Sequence, residues 1–443
     1  MNNKNKSNVK ILLNILNIII YELLMFIIVK NNFPNDYFGY INGYVVLGLL
    51  YTILLILFSK LFNSFNIGDT TTTDLFISHS LSLLFSNLII YVLECLVAYQ
   101  LVNFVPIILL QVIGMITSGI VLSVEEIIMR SKFPPLRVIC IYGEKHDDLI
   151  GKLNNPNELS IRIVKSVYIK DLKGKELEKL LDENIDGLIT LDINHNDKKK
   201  IFKLCYIKKL FVYDMPSITD VLISSGNILH MVDTPIIKVN KFGPNQFESI
   251  IKRLIDIIGS LLLIIVTSPI MLITAIAIKI NDGGDVLYRQ QRLTKDGKEF
   301  YIVKFRSMIM NAEDKTGVVL AKENDERITK VGKVIRKFRI DELPQMFNIL
   351  SGNMSFVGPR PERKEIYKEI IKKMPEFEYR LCVKAGLTGY AQIYGKYNTS
   401  LRDKLLLDIY YIEKYSVIED IKLMILTLKV IFKSDSTEGI KDE

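Results

Sequence analysis

The sequence predicts an α-rich membrane protein in three parts. These are a four-helix transmembrane bundle over residues 1–130, a small α/β Rossmann-like domain over 131–246, and an α+β domain over 247–443 that carries a re-entrant membrane helix at 250–280. Three observations carry this. Apolar residues make up 49% of a chain that is also 24% charged, so they must be concentrated, and up to Val124 long apolar runs alternate with short polar breaks. From Arg137 to about Gln246 the pattern changes to short strand-like runs separated by helical ones. A last apolar run, Leu254–Ile278, has Ser268-Pro269 near its middle and basic residues on both flanks.

Crossing a bilayer takes about 20 apolar residues. Ile11–Val29, Tyr40–Phe62, Leu75–Ala98 and Leu101–Val124 meet that length. The first run is too long for a cleaved signal peptide, and no small-residue cleavage site follows it. Lys4, Lys6 and Lys10 precede the first run and Arg130, Lys132 and Arg137 follow the fourth. The positive-inside rule therefore puts the N-terminus and everything after Val124 in the cytoplasm. Glu22 and Glu94 fall inside spans, where interhelical hydrogen bonding or a place near an interface is the expected role.

The run around Ser268-Pro269 is expected to behave differently. A mid-helix proline removes a hydrogen bond and clashes with the preceding turn, costing about 3 kcal/mol. Lys252 and Arg253 lie before the run, and Arg289, Arg292 and Lys295 after it. A helix that enters, breaks at Ser268-Pro269 and returns leaves both basic flanks inside. The alternative is an ordinary span kinked at the proline; the charges favour the hairpin.

In the middle part, Val138–Tyr142, Ile185–Leu191 and Leu210–Tyr213 look like buried parallel strands, with helices expected over 173–182 and 197–203. The turn after the first strand reads Tyr142-Gly-Glu-Lys-His146, so the glycine-rich dinucleotide fingerprint is absent. A structural, dimerising or regulatory module is favoured over a cofactor-binding one. His146, His195 and His230 are isolated along the chain and read as surface or core residues. Cys95, Cys140, Cys205 and Cys382 show no short spacing and suit reduced thiols in a cytosolic setting.

After His230 there is no histidine, and after Cys205 only Cys382. Ser-His-Asp triads, Cys-His pairs and His-rich metal sites are thereby excluded from the C-terminal half. What remains is carboxylates, cations and a hard metal ion. Asp341-Glu342 lies between the basic stretch Arg336-Lys-Phe-Arg339 and the loop Gly358-Pro-Arg-Pro361. Adjacent carboxylates can hold Mg²⁺ through one or two oxygens plus phosphate oxygens, or one of them can attack phosphorus. Lys304-Phe-Arg306 alternates cations with an apolar residue after a strand-like run, and two prolines fix the backbone around Arg360. Rigid arginines suit bidentate phosphate recognition. The net charge of +8 fits an anionic partner. Nucleic acid is a poor fit, since these cations adjoin a membrane segment and no docking element is recognisable.

The segment from about Phe247 to Phe432 resembles the bacterial sugar transferase family, monotopic polyprenyl-phosphate hexose-1-phosphate transferases. The landmarks occur in order: Lys252-Arg253 with Asp256, Ser268-Pro269, Tyr288-Arg-Gln-Gln-Arg292, Lys304-Phe-Arg-Ser-Met308, Asp325-Glu-Arg-Ile-Thr329 with Gly332, Asp341-Glu-Leu-Pro-Gln345, Gly358-Pro-Arg-Pro361, Lys384-Ala-Gly-Leu-Thr-Gly389, and Asp408 with Tyr411. The N-terminal parts look like the long-form members that prime O-antigen and capsule synthesis. The resemblance implies a two-step transfer of sugar-1-phosphate from a UDP-sugar to polyprenyl phosphate at the bacterial inner membrane, with release of UMP. Asp341 would be the nucleophile, with Glu342 helping to place Mg²⁺ and the acceptor. Lys304, Arg306, Arg336 and Arg360 would hold phosphates, and Lys252, Arg253 and Asp256 would sit at the membrane surface around the hairpin. A final helix over about 419–432 would lie in the interface. A homodimer is expected.

The chain departs from the family pattern at Thr294, where glycine is common, at Asn353, where aspartate is frequent, at Ala385, a usual proline, and at Tyr390, a usual tryptophan. The alternative from another class is a non-catalytic scaffold or regulator of glycan assembly. An eroded carboxylate pair or missing arginines would favour it, and both are intact.

Overall fold

The computed structural model describes residues 2–32, 41–143, 150–151, 161–172, 176–231, 233–239, 243–310, 325–395 and 399–431. His146, its turn after Gly143, and Phe432 lie outside the described residues. The protein is helix-rich, with apolar helices in its N-terminal region and a mixed α/β C-terminal part. It divides into two compact units between Pro216 and Ser217. This differs from the composition boundary near Gln246, because Val221 packs into the same core as Leu405 and Ile409 of the C-terminal unit.

The N-terminal unit opens with helices α1 (Asn2–Asn32), α2 (Ile41–Leu61), α3 (Thr72–Ala98) and α4 (Val105–Lys132). All four are long and apolar enough to cross a membrane. Helices α1 and α3 each pack on both α2 and α4. Tyr51, Leu55, Leu83, Ile90 and Leu110 are buried where they meet, while Leu12, Val46, Leu49 and Ile116 stay exposed, as lipid-facing residues would. Polar groups cross-link the helices: Asn17 Nδ2 donates to Glu125 Oε1 at 2.9 Å, and Tyr51 OH donates to Asn87 Oδ1 at 3.0 Å. Glu22 accepts from Thr52 of the next helix, matching its expected role. Glu94 is buried, and neither of its carboxylate oxygens has a hydrogen-bond partner.

A parallel sheet follows in the order β2-β1-β3-β4, from strands β1 (Leu136–Tyr142), β2 (Ile161–Tyr168), β3 (Gly187–Leu191) and β4 (Phe211–Asp214). The four central β1 residues, Val138 to Ile141, are all buried: Ile139 and Ile141 pack under α5 (Glu176–Leu181) and α6 (His195–Lys208), and Val138 and Cys140 face the other layer. Burial on both faces explains the unbroken apolar run. Strand β2 was not expected; it is an edge strand, and Arg162, Lys165 and Ser166 break its apolar pattern.

The C-terminal unit begins with α7 (Ile218–Ser224) and an antiparallel hairpin of β5 (Asn227–Met231) and β6 (Thr234–Lys238). Helix α8 (Gln246–Asp282) is started by a capping box between Asn245 and Glu248 and stopped by Gly283 in the left-handed region at φ 72°. It remains helical through Ser268 and Pro269, where the sequence reading expected a break. Two stretches of α8, one on either side of Ser268-Pro269, rest on its own unit. Asp256, Ser260 and Ile264 meet the main core, and Met271, Ala275 and Ile278 meet Phe305 and Ile335. The rest is exposed and apolar, with Leu261, Val266, Leu272 and Ile273 among the uncovered side chains.

Strands β7 (Leu287–Leu293) and β8 (Glu299–Phe305) form a hairpin. After it come α9 (Lys330–Lys337), α10 (Gln345–Ser351), β9 (Ser355–Val357), α11 (Lys364–Lys373), β10 (Gly386–Thr388), α12 (Tyr390–Tyr394), α13 (Leu401–Glu413) and α14 (Val417–Ile431). Strand β10 pairs in parallel with β9. The core of Ile349, Met354, Phe356, Tyr411 and Leu423 sits beneath this pair.

Candidate active site

Asp341 and Glu342 lie in a single 3-10 turn, Ile340–Glu342, that joins α9 to α10. Three local features place it. Thr329 caps α9, its hydroxyl accepting from the Gly332 N–H at 2.9 Å. Gly332 lies so close to Ser307 that a Cβ there would meet the Ser307 carbonyl oxygen at 1.9 Å, so only glycine lets α9 approach the chain leaving β8. Arg339 then adopts the left-handed conformation at φ 57°, turning the chain sharply into the acidic pair. Such a conformation in a non-glycine residue costs about 1 kcal/mol or more and is concentrated at functional sites.

Glu342 is the electrostatic centre. Its Oε1 accepts from Lys304 Nζ at 3.1 Å and from Arg360 Nη2 at 2.9 Å, and Arg339 Nη1 lies 3.8 Å away. Burial would raise its carboxyl, but Lys304, Arg360 and Arg339 outweigh this and hold it well below the usual range. Asp341 behaves oppositely. Burial, together with the neighbouring Glu342, pushes its carboxyl up to about 6 against the pull of Lys304, Arg336 and Arg339. Its Oδ1 is buried and has no hydrogen-bond partner. Burial lowers Lys304, opposed by Glu342, while Glu342 raises Arg360. One carboxylate is therefore neutralised by cations, and the other is left with an oxygen free to act.

The supporting frame was not legible in the sequence. Buried Asn348 acts as a neighbouring strand for β8, donating to Tyr301 O at 2.8 Å and accepting from Val303 N at 2.9 Å. This fixes the strand that delivers Lys304. The Arg360 loop is held carbonyl by carbonyl. Val357 O accepts from Lys252 Nζ at 3.0 Å, Gly358 O from Gln392 Nε2 at 3.3 Å, and Pro359 O from Gly386 N at 2.9 Å. Arg360 O accepts from Arg380 Nη2 at 2.9 Å, and Pro361 O from Arg292 Nη1 at 3.3 Å. Between the loop and Tyr367 and Arg380 lies a cavity of about 20 Å³, room for one water and too small for a sugar nucleotide.

Not every expected site residue joins this cluster. Lys304 and Arg360 touch Glu342, and Arg336 acts on Asp341 from the last turn of α9. Arg306 instead meets a different carboxylate: its Nη1 donates to Asp282 Oδ2 at 2.7 Å and its Nε to Asp285 O at 2.5 Å, fastening the end of α8. Lys252, Arg253 and Asp256 point into the unit. Lys252 pairs with Asp420 at 2.5 Å, and Arg253 donates to Ile349 O and Leu350 O at the open C-terminal end of α10. Asp256 accepts from the Ser355 hydroxyl and the Phe356 N–H, both at 3.0 Å. These residues anchor α8 to the sheet. Ser268 donates to Ile265 O within its own helix. Three of the family departures meet at one point: Thr294 Oγ1 donates to Asn353 O at 2.9 Å and accepts from Ala385 N at 3.1 Å.

Fold and site together define a membrane protein whose acidic turn, ringed by cations, suits phosphate-bearing ligands. A family model described as bacterial sugar transferase matches residues 247–434. The chain is 37% identical over 230 residues, 51% of its length and 53% of the relative's, to the UDP-N-acetylgalactosamine-undecaprenyl-phosphate N-acetylgalactosaminephosphotransferase of Aeromonas hydrophila. It is 38% identical over 232 residues, 50% of its length and 47% of the relative's, to the UDP-glucose:undecaprenyl-phosphate glucose-1-phosphate transferase of Klebsiella pneumoniae. A protein of that same description from Caulobacter vibrioides is 36% identical over 190 residues, 42% of this chain and 71% of the relative. The chain belongs to the bacterial sugar transferase family. It spans about half the length of the first two relatives, 53% and 47%.

Proposed function

We propose that this protein transfers a sugar-1-phosphate from a UDP-sugar to polyprenyl phosphate at the bacterial inner membrane, releasing UMP. The observation that carries the reading is the asymmetry of the acidic pair: Glu342 is neutralised by Lys304 and Arg360, while Asp341 keeps a buried, unpartnered Oδ1. In the first step an Asp341 oxygen attacks the β-phosphorus of the donor. The bond from that phosphorus to the bridging oxygen breaks, and its electron pair leaves with UMP. In the second step an oxygen of polyprenyl phosphate attacks the same phosphorus and the Asp341 carboxylate is released. Lys304, Arg336 and Arg360 balance the phosphoryl charge in both steps.

The residues fit Mg²⁺. Among the described residues no group of three or more His, Cys, Asp or Glu gathers, so a metal here would take one or two oxygens from Asp341 and Glu342 and the rest from substrate phosphates, as Mg²⁺ commonly does. When bound it would neutralise phosphate charge.

Both ends of α8 rest on one unit while its remaining surface is apolar and exposed, which supports a helix that dips into the cytoplasmic leaflet and leaves both flanks on the cytoplasmic face. A full crossing would carry one end away from that unit. Lys and Arg flanking the four N-terminal spans support the same orientation. Ile228, Leu229, Ile236 and Ile237, exposed on the β5–β6 hairpin, support a homodimer. The product would start a capsule, exopolysaccharide or O-antigen glycan, or one destined for a glycoprotein.

The test is a screen of UDP-sugars with purified protein, polyprenyl phosphate and Mg²⁺. UMP release is expected from at least one donor, and its loss on Asp341→Asn or on chelation. UDP release instead, or full turnover by Asp341→Asn, would contradict the reading.

A further inference from the structure

Arg360 reaches Glu342 from a loop, and its side chain is 44% exposed, so its own packing does not fix its aim. The backbone beneath it is gripped by a residue that the reaction scheme does not use. Arg380, 7% exposed in the 3-10 segment Pro375–Cys382, donates through Nη2 to Arg360 O at 2.9 Å and through Nε to Asp408 Oδ2 at 2.7 Å. Its guanidinium lies over the Phe377 ring, 4.4 Å from the centroid, and Nη1 is 3.9 Å from Glu362. Asp408 is 1% exposed on α13. The planar fork of Arg380 is thus fixed through Nε by a buried carboxylate and on one face by an aromatic ring, with Nη2 donating to a single backbone oxygen. That oxygen belongs to the residue whose side chain contacts the acidic turn.

We propose that Arg380, oriented by Asp408, is a positioning residue that sets the aim of Arg360 toward Glu342 and the transferring phosphate. This rests on the transferase reading for its kinetic consequence but not for its structural one. A buried Arg-Asp pair that only joined two helical segments would affect stability alone. A positioning pair affects the loop and acts through Arg360. Lysine at this place keeps the charge opposite Asp408, yet a single ammonium does not hold both partners in a fixed fork.

The experiment uses the full-length protein in detergent or nanodiscs and two variants, Arg380→Lys and Asp408→Asn; the second keeps the shape of the pair if the first does not fold. Hydrogen exchange at the Arg360 and Glu362 amides should be faster in either variant, with the β1–β3 core unchanged. UMP-release kcat/KM for Arg380→Lys should fall about 10- to 100-fold, the scale of a small misplacement of a catalytic group. The same change made in an Arg360→Ala background should lower the rate by less than about threefold, because a lost aim is lost once when residues are coupled. Unchanged loop exchange overturns the proposal, as does a full and independent rate loss in the Arg360→Ala background. If the wild type releases no UMP from any donor, the transferase reading fails, and the exchange measurement alone still decides the positioning role.

Discussion

Neighbouring carboxylates of one turn are driven apart in acidity by what surrounds them, and this division is the chemical content of the site. In the proposed reaction Asp341 must be ionised to attack phosphorus. With its carboxyl pushed up to about 6, it is protonated below that pH, so kcat/KM should fall about tenfold per unit as pH drops beneath 6 and level off above it. Glu342→Gln removes the like charge that helps raise Asp341 and frees Lys304 and Arg360 to pull it down. The acid limb of the profile should therefore move to lower pH even as the plateau rate drops. A limb that stays in place or moves upward would refute the assignment. The pair at Thr294 and Ala385 gives a stability test. Thr294→Gly strands the buried Ala385 N–H, costing about 1–3 kcal/mol, whereas in an Ala385→Pro background there is no N–H to strand and the cost should shrink. Thermal unfolding of the four proteins in one detergent measures this. At this scale the sequence pointed to Asp341, Glu342, Lys304 and Arg360 because local motifs surround them. It did not reveal Asn348, Arg380 or the Asp282 partner of Arg306, whose contacts join residues far apart in the chain and leave no local pattern.

In the proposed arrangement the element that links site and membrane is α8. Its apolar run and proline were legible, but the direction of its Lys252, Arg253 and Asp256 side chains was not. A polar residue on an apolar helix reads equally as facing headgroups or as facing a protein core. The structure resolves this through Asp420, the α10 carbonyls and the Phe356 N–H. The proposed dipping helix predicts that Lys298, exposed on the β7–β8 turn, shares a side with the N-terminus. Lys298→Cys in a cysteine-free background should react with an impermeant maleimide only after cells are permeabilised. Labelling of intact cells would establish a crossing instead.

Across the whole molecule, strong periodic or continuous apolar signals transferred faithfully from sequence to structure. The N-terminal apolar helices and strands β1, β3 and β4 fall where the runs lie, because each carries a continuous apolar stretch. Edge strand β2 and the exposed β5–β6 hairpin were missed, since strands open to solvent carry mixed residues. The unit boundary at Pro216 was equally hidden, set by Val221 packing on α13 and not by composition. The proposed function turns on one covalent step, and that step can be weighed directly. Full-length protein incubated with its UDP-sugar and Mg²⁺, without polyprenyl phosphate, should gain one sugar-phosphate in intact mass. The adduct should map to the peptide holding Asp341, disappear when acceptor is added, and never form in Asp341→Asn. UMP release that occurs only when acceptor is present, with no adduct on Asp341 at any time, would contradict the account.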